Sequence, residues 1–191
     1  MKCIFLDFDG VINNWYQFDG VSTENAMILK KIVDISDAKI IATTSNKYSL
    51  QCPDKVAYYK SNFYNKYVKF LNELGIQIYD ITPYVDANRT LEIKKYIEDH
   101  EVEEYVILDD ELVGKELQHH QVFLDLYRGL QEEHIIPSLN ILNGNLGFYP
   151  PNYDRSETSA ELNYRINKYY SKIRKNTEIL PLSKRKILER K

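Results

Sequence analysis

Four short apolar runs, each cut off by a polar residue, constrain the fold of this chain more than any other feature. Ile4-Phe5-Leu6 stops at Asp7, and Lys39-Ile40-Ile41-Ala42 stops at Thr43-Thr44-Ser45. Tyr105-Val106-Ile107-Leu108 stops at Asp109-Asp110, and Val122-Phe123-Leu124 stops at Asp125. The runs are continuous rather than alternating, so each is expected to be a strand buried on both faces, as in a parallel sheet. Helical spacing fills the gaps. Ala26, Leu29, Ile32 and Val33 repeat after the capping sequence Ser22-Thr23-Glu24. Phe63, Tyr67, Phe70, Leu71 and Leu74 repeat up to Gly75, and Ile93, Tyr96 and Ile97 mark a shorter helix beginning near Thr90. Strand and helix in alternation predict an α/β fold with a Rossmann-like, doubly wound parallel sheet.

The 191 residues suffice for one ordinary domain. Asn143-Gly144-Asn145 and Pro150-Pro151-Asn152 punctuate the end of the alternation. Residues 1–150 are therefore expected to form the α/β domain and 151–191 a helical extension. Within the extension, Thr158-x-x-Glu161 reads as a capping box, and Leu162, Ile166, Tyr169 and Ile173 share one helix face. Charge divides at the same place. The first part holds 14 Lys and Arg against 23 Asp and Glu, and the extension holds 11 against 5. A basic helix with interleaved Tyr164, Tyr169 and Tyr170 could contact nucleic acid, although an amphipathic helix packed on the body or on a partner is the stronger expectation. No apolar run is long enough for a membrane span, and the N-terminus has no signal-peptide pattern. Cys3 and Cys52 are too few for a disulfide framework, which makes a cytoplasmic location the default.

Ligands of open α/β sheets bind beyond the carboxyl ends of the strands. Here those ends carry Asp7, Asp9, Thr43, Thr44, Asp109 and Asp110. Carboxylates gathered in one crevice repel one another and call for a cation. Hard oxygen ligands of this kind suit Mg²⁺, which commonly takes one or two carboxylates together with a substrate phosphate.

The segment Phe5-Leu6-Asp7-Phe8-Asp9-Gly10-Val11-Ile12-Asn13 resembles the first motif of the haloacid dehalogenase (HAD) superfamily, whose phosphatases carry DxDG after the first strand. Ile40-Ile41-Ala42-Thr43 resembles the second motif, Arg89 in Asn88-Arg89-Thr90-Leu91-Glu92-Ile93 the basic third, and Tyr105 to Asp110 the acidic fourth. The resemblance spans roughly residues 1–135. A finer likeness is to a small HAD group that includes domains associated with RNA-repair proteins. It rests on Asp7 to Asn13, Ile81-Thr82-Pro83, Arg89-x-x-Glu92-Ile93, Leu108-Asp109-Asp110 and Gly129-Leu130-Gln131-Glu132-Glu133. That group's second motif usually reads Ser-Ser-x-Trp-Arg, whereas this chain has Thr43-Thr44-Ser45-Asn46-Lys47, without the Trp or the Arg.

What the resemblance implies is a Mg²⁺-dependent phosphohydrolase acting on a phosphomonoester. Asp7 would be the nucleophile and form an aspartyl-phosphate, and Asp9 would be the general acid and then base. Thr43, or Thr44 beside it, would bind a phosphoryl oxygen, and Arg89 would neutralise charge. Lys94 and Lys95 are competitors for that basic role. Asp7, Asp109 and Asp110 would bind the metal, along with Asp9 through its backbone carbonyl. A nucleic-acid end phosphatase is the alternative within enzymes, and a binding or regulatory module that keeps the fold is the alternative outside them. Retention of both Asp7 and Asp9 argues for catalysis. Little or no cap domain is expected. The Tyr- and Phe-rich segment 48–75 reads as a loop leading into one helix, with a small lid as the second reading. Adjacent histidines seldom share one ion, so His119-His120 reads as an exposed loop. Cys3 reads as a small core residue and Asp125 as a strand-end turn.

Overall fold

All four apolar runs are strands, and a fifth joins them. The structure, a computed structural model, describes residues 1–14, 20–47 and 67–145. In chain order the elements are β1 (Lys2–Leu6), α1 (Thr23–Ser36), β2 (Lys39–Ala42), α2 (Lys69–Glu73), β3 (Ile78–Ile81), α3 (Arg89–Asp99), β4 (Glu104–Asp109), β5 (Gln121–Phe123) and α4 (Ile135–Ile141). The sheet order is β3-β2-β1-β4-β5, and each pairing is parallel. This is the doubly wound, Rossmann-like arrangement, with β1 at the centre and the order reversing beside it. The extension expected over 151–191, and with it the outer boundary of the α/β domain, lies outside the described residues. So do residues 48–66, and therefore most of the segment on which the choice between lid and helix depends.

Alternation along the strands divides the core into two layers. Ile4, Leu6, Ile40, Ala42, Val106 and Leu108 face one side and pack with Ala26, Leu29 and Ile32 of α1, Leu71 of α2 and Ile135 and Ile141 of α4. Cys3, Phe5, Ile41 and Ile107 face the other, where Ile93 and Tyr96 of α3 cover them. Tyr96 meets Phe5 edge-on, with ring centroids 5.7 Å apart. Both faces of the central strands are dry, which explains their uninterrupted apolar sequence. The Cys3 thiol, fully enclosed, is pushed up to about 11 by burial. β3 has no continuous apolar run because it is an edge strand: Ile78-Tyr79-Asp80-Ile81 is half-exposed and mixes polar with apolar positions. Its register against β2 also slips between Ile40 and Ile41.

Two caps aim helices at the carboxyl ends of the strands. Ser22 Oγ accepts from the Asn25 amide at 3.4 Å, and the Ser22 amide donates to the Ile12 carbonyl at 2.8 Å. Asn88 Oδ1 accepts from the Leu91 amide at 3.2 Å, making Arg89 the first residue of α3. α2 ends at Gly75, whose φ of 75° lies in the left-handed region that side chains disfavour. His119 and His120 belong to a 3₁₀ turn rather than an open loop, and the half-buried His120 ring stacks 3.9 Å over Tyr105. Asp125 accepts from the Tyr127 amide in a turn, as expected. Among the described residues, no helix is long and apolar enough to cross a membrane.

His134, which leads into α4, gives the fold an acid-sensitive point. It is buried, its Nδ1 accepts from the Gln131 amide at 2.8 Å, and burial pulls its pKa down to about 3. The unfolded chain binds a proton near the usual 6.5, so stability is undiminished above that pH and declines as pH falls toward 3. His134→Asn keeps an acceptor but cannot titrate. Between pH 6.5 and 5 the wild type should lose about 2 kcal/mol more stability than this variant in urea unfolding.

Candidate active site

Backbone pairing sets the site's first two residues. The Asp7 amide donates to the Leu108 carbonyl at 3.0 Å, and the Thr43 amide donates to the Leu6 carbonyl at 2.8 Å. Each bond carries the ladder one step past its strand, so Asp7 and Thr43 lie side by side where the sheet order reverses. Asp109 closes β4 next to them. From the face covered by α3, Arg89 reaches across. Its Nη2 is 3.2 Å from Asp7 Oδ1, and its Nη1 donates to Asp109 Oδ2 at 2.6 Å. The Glu111 amide holds the other Asp109 oxygen at 2.8 Å.

Asp110 completes an acidic cluster. One carboxylate oxygen from each of Asp7, Asp109 and Asp110 lies within 4.8 Å of the others. Burial is the main cause of the upward shift in all three pKa values, opposed at each by Arg89. Asp110, the most accessible, is pushed up to about 7, with the Asp7 charge adding to the effect of burial. The donor set fits a hard divalent cation, whose charge would relieve the repulsion. Gly10 supplies a second sign of fit. With φ at 71°, it sits where a Cβ would come within 2.5 Å of the Asp110 side chain, so glycine allows that carboxylate against the loop.

Asp9 turns away from the cluster. The amides of Val11, Ile12 and Asn13 all donate to the Phe8 carbonyl at 3.0–3.3 Å, folding the chain tightly after Asp7. In that turn, Asn13 Nδ2 donates to Asp9 Oδ1 at 2.7 Å, and the Tyr67 hydroxyl donates to the same oxygen at 3.0 Å. Asp9 thus keeps its expected place in the loop, with its carboxylate separate from the three acids that cluster.

Thr43 and Thr44 are also told apart. Among the described residues, the Thr43 hydroxyl is the one buried side-chain polar atom with no hydrogen-bond partner. Thr44 is engaged elsewhere, and its carbonyl accepts from the Lys47 amide at 3.1 Å. Lys94 and Lys95 pair at the surface with Glu116 and Asp99, leaving Arg89 as the member of that trio at the carboxylates.

Sequence reasoning passed over several residues that build this site. Asn25 Nδ2 donates to the carbonyls of Val11, Asn13 and Arg128 at 3.2–3.4 Å, tying α1 to the Asp7–Asn13 loop and to the turn at Gly129. Lys47 and Glu92 form a wholly buried ion pair between the loop after β2 and α3. Lys47 therefore puts a cation where the related group has its arginine. Both residues stand in the motif segments quoted above, but nothing in their spacing marks them as partners. A cleft of about 1070 Å³ opens beside Arg89, lined by Ser45, Asn88, Thr90, Glu111 and Lys115 among others, and gives access from solvent.

Residues 3–135 match the family described as the HAD domain in Swiss Army Knife RNA repair proteins. The chain belongs to that family. No curated protein and no solved structure matches it. Membership suggests a hydrolase of the phosphatase type, and the acidic cluster of this HAD domain is compatible with a bound metal.

The buried Lys47–Glu92 pair carries a stability prediction. Glu92→Leu strips a carboxylate from a buried ammonium and should cost about 3–5 kcal/mol. The double variant Lys47→Met/Glu92→Leu should recover most of that loss in urea denaturation.

Proposed function

We propose that this HAD domain is a Mg²⁺-dependent phosphohydrolase that cleaves a phosphomonoester through an aspartyl-phosphate on Asp7. The observation that carries the reading is the partnerless Thr43 hydroxyl beside Asp7. A cation site alone has no use for a buried, unsatisfied donor, whereas a phosphoryl oxygen would accept from it. Arg89, within reach of Asp7, is placed to neutralise charge on the same group.

In the first step Asp7 attacks phosphorus. The new bond joins the aspartyl oxygen to phosphorus, and the phosphorus–oxygen bond to the leaving group breaks. Asp9 donates its proton to the departing oxygen. In the second step water attacks phosphorus, Asp9 takes a proton from that water, and the bond from phosphorus to Asp7 breaks to release phosphate. Mg²⁺ held by Asp7, Asp109 and Asp110, with the Asp9 carbonyl, would offset the negative charge of the transferring phosphoryl group. Arg89 opposes the upward pull of burial on the Asp7 carboxyl without cancelling it, and the hydroxyl of Thr43 would orient the phosphoryl group.

For the substrate, the family's description favours a nucleic-acid end bearing a 3′ or 5′ phosphate. The excess of Lys and Arg over residues 151–191 agrees with that reading. Phosphate release from a panel of aryl phosphate, nucleotides, sugar phosphates and 3′- or 5′-phosphorylated oligonucleotides, with Mg²⁺ or with EDTA, tests activity and substrate together. Release should require Mg²⁺, and preference for an oligonucleotide end would identify the nucleic-acid enzyme. A folded protein that binds Mg²⁺ and releases nothing from any of them would favour a binding module.

Two variants test the residue roles. Asp7→Asn should abolish release while leaving the far-ultraviolet circular dichroism unchanged. Thr43→Val removes a buried, unsatisfied hydroxyl, so it should lower kcat by about 10²-fold without lowering the melting temperature.

Cation binding should also move protons. The Asp110 carboxyl is held up to about 7 without a cation, so it is partly protonated at pH 6.5. Mg²⁺ drives it to ionise. Calorimetric titration at pH 6.5, in two buffers of different ionisation enthalpy, should show protons leaving the protein, and Asp110→Asn should shed fewer.

A further inference from the structure

Tyr67 lies 58 residues from Asp9 in the chain, yet its hydroxyl donates to the Asp9 carboxylate at 3.0 Å. The phenol is almost fully buried, its ring 5.2 Å from that of Phe8, so the residue between the two aspartates fixes where the hydroxyl points. Asn13 joins the same contact. Its orientation is not ambiguous, because the Gly10 amide can only donate and requires Asn13 Oδ1 at 2.8 Å. Asn13 Nδ2 must then face Asp9 Oδ1, 2.7 Å away, with the Tyr67 hydroxyl at 3.5 Å.

Both donors therefore converge on Oδ1. Among the described residues, no hydrogen bond reaches Oδ2. Burial and the Asp9 charge hold the Tyr67 phenol protonated far above neutral pH, so it remains a donor throughout. An oxygen that already accepts two hydrogen bonds is a poor site for a proton, and the bare oxygen is a good one.

We propose that Tyr67 is a positioning residue for Asp9: together with Asn13 it occupies Oδ1, so that the proton delivered to the leaving group travels on Oδ2. The inference rests on the phosphohydrolase reading above, with Asp9 as its general acid. The atoms balance simply. The Oδ2–H bond breaks as the leaving oxygen gains that hydrogen, and the electron pair stays on a carboxylate that Tyr67 and Asn13 already solvate.

Leaving-group dependence distinguishes this role from a structural one. A dinitrophenolate departs without a proton, whereas the phenolate of phenyl phosphate is basic and needs one. Phenol release in the first turnover, which excludes the later hydrolysis step, would be measured on 2,4-dinitrophenyl phosphate and phenyl phosphate. The full-length wild type, Asp9→Asn and Tyr67→Phe would be compared with Mg²⁺ present. Tyr67→Phe keeps the ring against Phe8 and removes only the donor. It should lose at least about tenfold more rate on phenyl phosphate than on the dinitrophenyl ester, following the direction of Asp9→Asn. Equal losses on the two esters, or none on either, while Asp9→Asn remains selective, would overturn the Tyr67 role alone. Wild type that releases nothing from either ester or from the phosphorylated oligonucleotides, or an Asp9→Asn variant with no selectivity, would overturn the reading beneath it and the Tyr67 role with it.

Discussion

The guanidinium of Arg89 holds the site together. Three carboxylates crowd the point where the sheet order reverses, and burial alone would drive each toward its neutral form. Arg89 spans Asp7 and Asp109 with two different nitrogens, joining the ends of β1 and β4 through α3. A lysine could not do this as well, because a single ammonium lacks the planar fork that meets two carboxylates in fixed directions. Arg89 in turn depends on the Asn88 cap, which starts α3 beneath the carboxylates.

One positive charge against three negative ones leaves the cluster undersatisfied. That imbalance is compatible with a bound cation, and buried like charges of this kind are typical of functional sites. The buried hydroxyl of Thr43 is a second local cost of the same kind. The surrounding scaffold offsets both. Asn25 stitches three carbonyls together around the loop, and the core layers on each face of the sheet leave β1 no freedom to shift.

Much of this was legible in the sequence because burial on both faces writes a continuous apolar word, and the sheet's carboxyl ends fall where those words stop. Asp7, Thr43 and Asp109 could be placed that way, whereas Arg89, at the start of a helix, was marked only by the resemblance of its segment to a family motif. β3 could not, since an edge strand packs only in part and Tyr79 and Asp80 interrupt its pattern. Lys47, Glu92 and Tyr67 were hidden for a different reason. Their roles come from pairings across 45 and 58 residues, and no local spacing records which partner a buried side chain will meet. Tyr67 even looked like one more apolar position on a helix face; its ring does pack in the core, and only the hydroxyl reaches the carboxylate.

The central place of β1 has a consequence for the order in which the chain can fold. One side of β1 pairs with β2 within about 40 residues, but the other waits for Glu104–Leu108, about a hundred residues downstream. At ribosomal speeds of roughly 5–20 residues per second, that edge stays open for about 5–20 s. During that interval a strand whose side chains from Cys3 to Leu6 end up buried presents its unpaired backbone to any other chain nearby. The same delay keeps Asp7 from meeting Asp109 and Asp110 until Arg89 has already been made, so the charge that reconciles them is in hand before they are brought together.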